Sequence, residues 1–329
     1  MDRENITIQR YILHISFIID NHFIVVLKYI IMETKRLINL DPKVYEHPTD
    51  RQLLTYLSSL PGFETLTNWI LDWTYVKWHL VDLKGSNFHV TEKSCPELYN
   101  QVKEVAETLD ISEMPHIYTE WGYYINAYTT GFKENTLLTI YSGAVDLLSK
   151  EQLNYIIGHE MGHIKSKHII YHMMAQLLTN VVAEWPIASS LIRPIRVGLL
   201  YWNRMSEFTS DRAGLLACQN PDAAIDAIIK MTGVPQKYFN STNREVFMEQ
   251  AKEFEYLLSG TESIMKNISA LDETHPWTVL RAAEIIKWIE SGEYDKILKE
   301  YGGVKCKHCS NIVAPNADIC DVCGLNPII

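Results

Sequence analysis

The chain runs to 329 residues, 47% of them hydrophobic, with 30 Lys and Arg against 40 Asp and Glu and a formal net charge of −10. That length and apolar content can fill one large core or two smaller ones, which excludes disorder as the default state. The acidic balance, with no local basic patch, excludes the electrostatic footprint that nucleic-acid binding needs.

Residues 11–31 (YILHISFIIDNHFIVVLKYII) are long and apolar enough to resemble a membrane span. His14, Asp20, Asn21 and His22 interrupt it. A charge near the centre of a span costs roughly 2.5–3.5 kcal/mol, and each Ile or Phe returns only about 0.5, so insertion sits near break-even. No small-residue cleavage site of the signal-peptide kind follows. Met32 then opens METKRLINLDPKVYEHPTDRQ, which reads as the beginning of a soluble domain. Three readings of residues 1–31 stay open: an extension from an upstream start codon, an extra packed helix or strand, and a membrane anchor.

Residues 50–83 carry apolar side chains at helical spacing, including Leu53, Leu54, Leu57, Leu66, Trp69 and Trp73, and Pro61-Gly62 divides them into two helices. Residues 95–109 form another amphipathic helix, with Pro96 in its first turn. The period then changes. HIYTEW, GYYINAYTTGF and NTLLTIYSG, spanning 116–143, are short, rich in Tyr, Thr and Ile, and punctuated by Gly, a pattern that predicts a small antiparallel sheet.

Ser149 is placed to cap a helix that runs through IIGHEMGHIKSKH. On that helix His159 and His163 are one turn apart on one face, so both imidazoles can reach a single zinc at about 2.0–2.1 Å. Glu160 lies one residue round, where a carboxylate can take a proton from a zinc-bound water. Gly158 and Gly162 each cost up to about 1 kcal/mol relative to Ala in a helix, which points to close approach of another segment.

Residues 169–202 are apolar, but Glu184, Pro186, Arg193, Pro194 and Arg196 interrupt them, so two shorter helices packed over the catalytic helices are expected instead of a span. A hydrophobic surface leaning on a membrane, or a lid, stays open there. Met205–Gly214 is helical again and puts Glu207 and Asp211 one turn apart. Alone, this pair would be a solvated face; with the histidine pair, Glu207 supplies a third ligand and Asp211 a carboxylate to hold a ligand histidine in its tautomer.

The helical pattern of 279–301 ends at Gly302-Gly303, and Cys306-x2-Cys309 and Cys320-x2-Cys323 follow with ten residues between them. This is the spacing of a zinc ribbon, four thiolates closing a tetrahedral structural site; rubredoxin-like iron is the alternative metal. His308 is a bystander, because four cysteines already fill the shell. The remaining Cys95 and Cys218 are isolated, so no disulfide framework exists and a reducing, cytoplasmic compartment is implied.

Four segments in this order, Asn126-Ala-Tyr-Thr-Thr-Gly131, His159-Glu-Met-Gly-His163, Glu207-Phe-Thr-Ser-Asp211 and Thr274-His-Pro-Trp-Thr-Val-Leu-Arg281, resemble the M48 metallopeptidases, the group of the prenyl-protein endoprotease and the heat-shock protease HtpX. The resemblance covers roughly residues 90–290. It implies a zincin-like catalytic domain of the gluzincin type within an α+β, mainly helical fold that includes the small antiparallel sheet, with the zinc ribbon appended. Domain boundaries are expected at 1–31 for the extension, 32–89 for a helical N-terminal region, 90–300 for the peptidase and 303–329 for the ribbon.

By the same resemblance His159, His163 and Glu207 are the catalytic zinc ligands, Glu160 the general base and Asp211 the partner of a ligand histidine. His275 would stabilise the oxyanion, and Arg281 would brace the site. Asn126, Ala127 and Tyr128 lie on the edge strand that takes an extended substrate by strand addition. The expected function is a zinc metalloendopeptidase acting on peptides or proteins, with one catalytic and one structural Zn2+. The alternative is a catalytically silent adaptor that works through its ribbon, and the retained Glu160 separates the two.

Overall fold

The computed structural model describes residues 34–72, 81–131, 135–180, 189–242, 244–258 and 277–327; the extension of residues 1–31 and His275 lie outside them. Residues 35–329 form one compact unit. Its first helices, α1 (Pro48–Ser58) and α2 (Phe63–Asp72), are separated at Gly62, whose φ of 83° ends the first pattern and lets the second begin. A three-residue strand β1 (Phe88–Val90) and helix α3 (Pro96–Thr108) follow.

The sheet contains β1, β2 (His116–Glu120), β3 (Ala127–Thr130) and β4 (Leu137–Tyr141) in the order β1-β2-β4-β3. It is mixed, which corrects the antiparallel expectation: β2 and β4 run parallel, while β1 pairs with β2 and β3 with β4 antiparallel. The cause is the stretch between β2 and β3. Residues 121–126 do not extend into a hairpin but fold against the start of α4 (Ser142–Leu147), where the Gly143 amide donates to the Gly122 carbonyl at 2.8 Å. A Cβ on Gly143 would meet the Tyr124 backbone nitrogen at 2.6 Å, so the approach depends on glycine. This anchored bend carries β3 to the far side of β4 and leaves it as an edge strand.

Helix α5 (Lys150–Lys165) starts in a capping box, Ser149 Oγ accepting from the Gln152 amide and Gln152 Oε1 from the Ser149 amide. Then come α6 (Ile169–Asn180), α7 (Ser189–Cys218), α8 (Pro221–Met231), α9 (Arg244–Leu258), α10 (Thr278–Glu290) and α11 (Glu293–Tyr301). The second helix expected in 169–202 is therefore not short. It continues unbroken to Cys218, with Pro194 inside its second turn at the loss of one backbone bond near the helix start. Among the described residues no helix is long and apolar enough to cross a membrane.

The main core gathers α3, α5, the C-terminal half of α7, α8, α10 and α11 around the inner face of the sheet, and a second cluster joins α1, α2, α6 and α7 through Leu57, Phe63, Met174, Leu199 and Trp202. Helices α5 and α7 cross at very close range. A Cβ on Gly158 would lie 2.3 Å from the Ala217 Cβ, and one on Gly162 would lie 2.7 Å from the Ala213 Cβ. Gly214 reciprocates from α7, its absent Cβ falling 2.7 Å from the Tyr155 carbonyl oxygen. Gly158→Ala should therefore overpack this crossing and destabilise the chain by about 1–3 kcal/mol, read from the urea unfolding midpoint, with Ala217→Gly in the same chain recovering part of the loss. A Gly158→Ala protein as stable as the parent would show that the crossing tolerates the methyl group.

Candidate metal centre

The α5–α7 crossing puts His159 and His163 opposite Glu207, all three buried, with one donor atom from each within 4.8 Å of the others. His159 Nε2 and His163 Nε2 are 3.2 Å apart, His159 Nε2 is 3.4 Å from Glu207 Oε2, and His163 Nε2 is 3.3 Å from Glu207 Oε1. Ligands 2.0–2.1 Å from a tetrahedral ion stand roughly 3.3 Å from one another, so this donor set fits a zinc ion without rearrangement.

Asp211 lies one turn beyond Glu207 and is surrounded by donors. Its Oδ1 accepts from Tyr155 Oη at 2.7 Å, from Arg281 Nη2 at 2.5 Å and from His159 Nδ1 at 2.9 Å; its Oδ2 accepts from Arg281 Nε at 2.9 Å. A carboxylate with no proton to give keeps a proton on His159 Nδ1, so that when the ring is neutral its lone pair is on Nε2, facing His163 and Glu207. Burial raises the Asp211 carboxyl, and Arg281 overrides it and holds Asp211 well below the usual carboxylate range. Burial and Arg281 both push His159 down, yet the bonds to Asp211 and Glu207 carry it up to about 9; burial dominates at His163, which is lowered.

Glu160 is buried on α5 and accepts a hydrogen bond from Thr129 Oγ1 of β3 at 3.1 Å. The edge strand thus runs directly past this carboxylate. Ala127 and Thr129 share the face turned to α5, whereas Tyr128 points the other way and donates to Glu120 at 2.7 Å. Asn126 bonds the adjacent Ala127 amide at 3.0 Å. Of the sequence-derived residues, His159, Glu160, His163, Glu207, Asp211 and Arg281 converge on one place, and Asn126, Ala127 and Tyr128 line the strand beside it.

Thr129 and Tyr155 were missed. Thr129 carried a signal in the alternation of β3, since it follows Ala127 by two; Tyr155 sits four residues before His159 on α5 and so shares its face, a spacing that sequence could have exposed.

The four cysteines form a second group, their sulfurs within 4.8 Å of one another. Cys306 Sγ is 3.7 Å from Cys323 Sγ, and Cys309 Sγ is 3.6 Å from Cys320 Sγ; thiolates around tetrahedral zinc are separated by roughly 3.8 Å. Two equivalent knuckles arrange them, the first in the loop of the hairpin of β5 (Val304–Lys305) and β6 (Ile312–Val313), the second after β6. In each, the leading cysteine's amide donates to the carbonyl five residues on and its carbonyl accepts from the amide four residues on: Asn311 and Ser310 for Cys306, Leu325 and Gly324 for Cys320. Ser310 and Gly324 both take positive φ, 62° and 72°. The backbone hydrogen bond from Cys309 is the leading cause that draws the Cys306 thiol down to about 6.

The buried charges make a stability prediction. Arg281→Met leaves Asp211 without its cation and should destabilise the fold by about 3–5 kcal/mol at pH 7. In the parent, the depressed Asp211 pKa contributes stability that is present above the unfolded carboxylate pKa and lost as pH falls through the folded one. In Arg281→Met, burial is opposed only by the bonds from Tyr155 and His159 and should raise the carboxyl, so the deficit should shrink between pH 7 and pH 5 as it takes up a proton. Denaturant titrations at the two pH values check this, and a deficit that grows toward pH 5 would contradict the assignment.

Comparison with known proteins gives a consistent result. The model of peptidase family M48 matches residues 92–289. The plastoglobule-localized metallopeptidase 48, chloroplastic, of Arabidopsis thaliana is 29% identical over 264 residues, which cover 79% of this chain and 76% of that protein. A protease HtpX homolog of Polynucleobacter necessarius is 24% identical over 229 residues (62% of this chain, 77% of its own), and one of Burkholderia thailandensis is 23% identical over 234 residues (63% and 79%).

Proposed function

Because the chain belongs to peptidase family M48, we propose that it is a zinc-dependent endopeptidase of the gluzincin type, with His159, His163 and Glu207 as ligands and Glu160 as the general base. The observation that carries this reading is the mutual spacing of 3.2–3.4 Å among His159, His163 and Glu207, with Glu160 on the same helix and bonded to the edge strand. Membership of the family makes the protein a metalloprotease acting on peptide or protein substrates; the residue roles are our assignment.

A zinc held by His159, His163 and Glu207 would supply Lewis acidity, lowering the pKa of a bound water to about 7 and polarising the scissile carbonyl. Glu160 takes the proton from the attacking water and passes it to the leaving amine nitrogen, a role that requires the carboxylate ionised at the start and oriented, as the Thr129 hydroxyl does. Asp211 holds His159 with Nδ1 protonated, and Arg281 and Tyr155 hold Asp211. The substrate main chain pairs with the open edge of β3, so that its scissile bond lies over Glu160. Trp121, Tyr123 and Tyr124, exposed on the bend that leads into β3, give apolar substrate side chains a place to rest. His275, outside the described residues, is assigned to the developing oxyanion. The four-cysteine unit of 303–329 is assigned a second, structural zinc, with the peptidase in 90–300.

The test is cleavage of an unfolded protein by the purified chain beside Glu160→Gln, with zinc quantified in both. Glu160→Gln should keep its zinc and lose on the order of 10²–10⁴-fold in kcat. Unchanged cleavage in Glu160→Gln, or no cleavage by a zinc-loaded parent, would overturn the assignment. Separately, Cys309→Ser with Cys323→Ser should remove one of two zinc ions per chain and leave the ion that His163→Ala removes, as counted by elemental analysis.

A further inference from the structure

Beyond the metal-facing donors lies a second arrangement of buried polar groups that the proposed mechanism does not use. Lys167, a non-glycine residue at φ 59°, turns the chain between α5 and α6, and the His168 amide donates back to the His163 carbonyl at 2.9 Å. The turn tucks the His168 ring, 1% exposed, under His163. His168 Nδ1 is 3.1 Å from His163 Nδ1, and His168 Nε2 is 3.2 Å from Asp50 Oδ2. Asp50, 2% exposed, comes from α1, upstream of the residues the family model matches, and its oxygens also accept from Trp202 Nε1 at 2.7 Å and Thr209 Oγ1 at 2.6 Å.

The proton positions follow from this geometry. Asp50 meets three donors and so acts as an acceptor, which puts a proton on His168 Nε2. A neutral His168 then has a lone pair on Nδ1. Two ring nitrogens 3.1 Å apart cannot both carry protons, so His163 Nδ1 donates and His163 Nε2 is left as a lone pair facing His159 and Glu207. The ring of His168 is held edge-on against Trp202, with centroids 5.4 Å apart, so it cannot swing out of this line.

His163, His168 and His172 also place nitrogens within 4.8 Å of one another. A second ion there would compete with the hydrogen bond between the two Nδ1 atoms and with the contact of His172 Nε2 to Ser206 Oγ at 2.9 Å. In the arrangement as it stands His163 Nδ1, His168 Nδ1 and His172 Nε2 are each already engaged in a hydrogen bond.

We propose that Asp50 and His168 form a two-step relay that fixes His163 in its metal-binding tautomer, as Asp211 does directly for His159. Both are positioning residues, and the proposal rests on the reading of His163 as a ligand. Each ligand histidine is thereby tied to a buried carboxylate, one adjacent and one across a second imidazole.

The test compares His168→Asn with His168→Gln in the full chain. Asn places an amide oxygen where Nδ1 was and keeps the acceptor for His163; Gln reaches the Nε2 position, keeps the donor to Asp50 and loses that acceptor. Zinc retention is followed against a graded chelator series, the relevant ion being the one that His163→Ala loses, and unfolding of the chelated proteins is measured alongside. His168→Gln should hold that ion about 10–100-fold more weakly than the parent, and His168→Asn within a few-fold of it, whatever the ranking of their stabilities. Equal weakening in the two variants, or none in His168→Gln, overturns the relay while the ligand reading stands. If His163→Ala loses no ion that the parent holds, the ligand reading fails and the relay with it. A third ion per chain, lost in His172→Ala, would replace the relay by a second metal site. Should the variants not fold, ring 15N spectra of the zinc-free parent decide: His163 protonated on Nδ1 with His168 protonated on Nε2 supports the relay, and His163 protonated on Nε2 overturns it.

Discussion

Everything at the candidate metal centre depends on how closely α5 and α7 approach. Two helices with ordinary side chains at their contact stand 8–10 Å apart, a separation that the missing Cβ atoms of Gly158, Gly162 and Gly214 reduce. Only then can a carboxylate as short as that of Glu207 come within 3.4 Å of both imidazoles on the facing helix. The cost of glycine in a helix, about 1 kcal/mol each, is offset by the contact area and by the site it creates. Because all three donors and Glu160 stand on two helices packed at van der Waals contact, the geometry is held by backbone and not by loops, which is what a preorganised site requires.

The same crossing buries several ionisable groups, and the surroundings are built to balance them. Glu207 and Asp211 on α7 are matched by Arg281 from α10 and by the two histidines from α5. A buried ion pair is weak evidence for stability, since desolvation consumes most of the attraction. Its consequence here is orientation. Arg281 grips Asp211 through two nitrogens, Tyr155 adds a third donor, and the remaining direction of the carboxylate is left to His159. Fewer donors would let the carboxylate rotate and the imidazole change tautomer.

How far the site was legible follows from which forces placed each residue. The histidine pair, Glu160, and the pair Glu207 with Asp211 could be read because helical periodicity fixes relative positions over one turn, and the Ser149 cap announced where that helix begins. The ribbon cysteines were legible because the spacing within each knuckle is set by local hydrogen bonds. Strand order was not legible. Whether β2 pairs with β3 or β4 is decided by the packing of Gly122 against Gly143, twenty-one residues apart, and periodicity gives the same alternation for either partner. β1 was missed because three residues are too few for a period. Asp50 was missed for a different reason: an acidic residue in the first turn of an exposed-looking helix reads as favourable to the helix dipole, and nothing nearby in sequence reveals that it meets Trp202, Thr209 and His168.

That last miss bears on where the working unit begins. The family match starts at residue 92, yet α1 lies against α7, through Leu57, Leu199 and Trp202. Gly198 on α7 makes room for Leu57, its absent Cβ falling 2.6 Å from a Leu57 methyl group. Lower on the same helix the His47 amide donates to Thr209 Oγ1 at 3.0 Å, and that hydroxyl in turn donates to Asp50. Arg212, one residue beyond Asp211, reaches the carbonyls of Tyr45 and Glu46. These contacts hold α7 on both sides of Glu207, so its rotation about its own axis, which sets where the Glu207 carboxylate points, is constrained by residues 45–57 as well as by α5. A site whose donors must stand about 3.3 Å apart tolerates little such rotation. The segment upstream of the family match is therefore part of the physical definition of the centre and not an appendage to it.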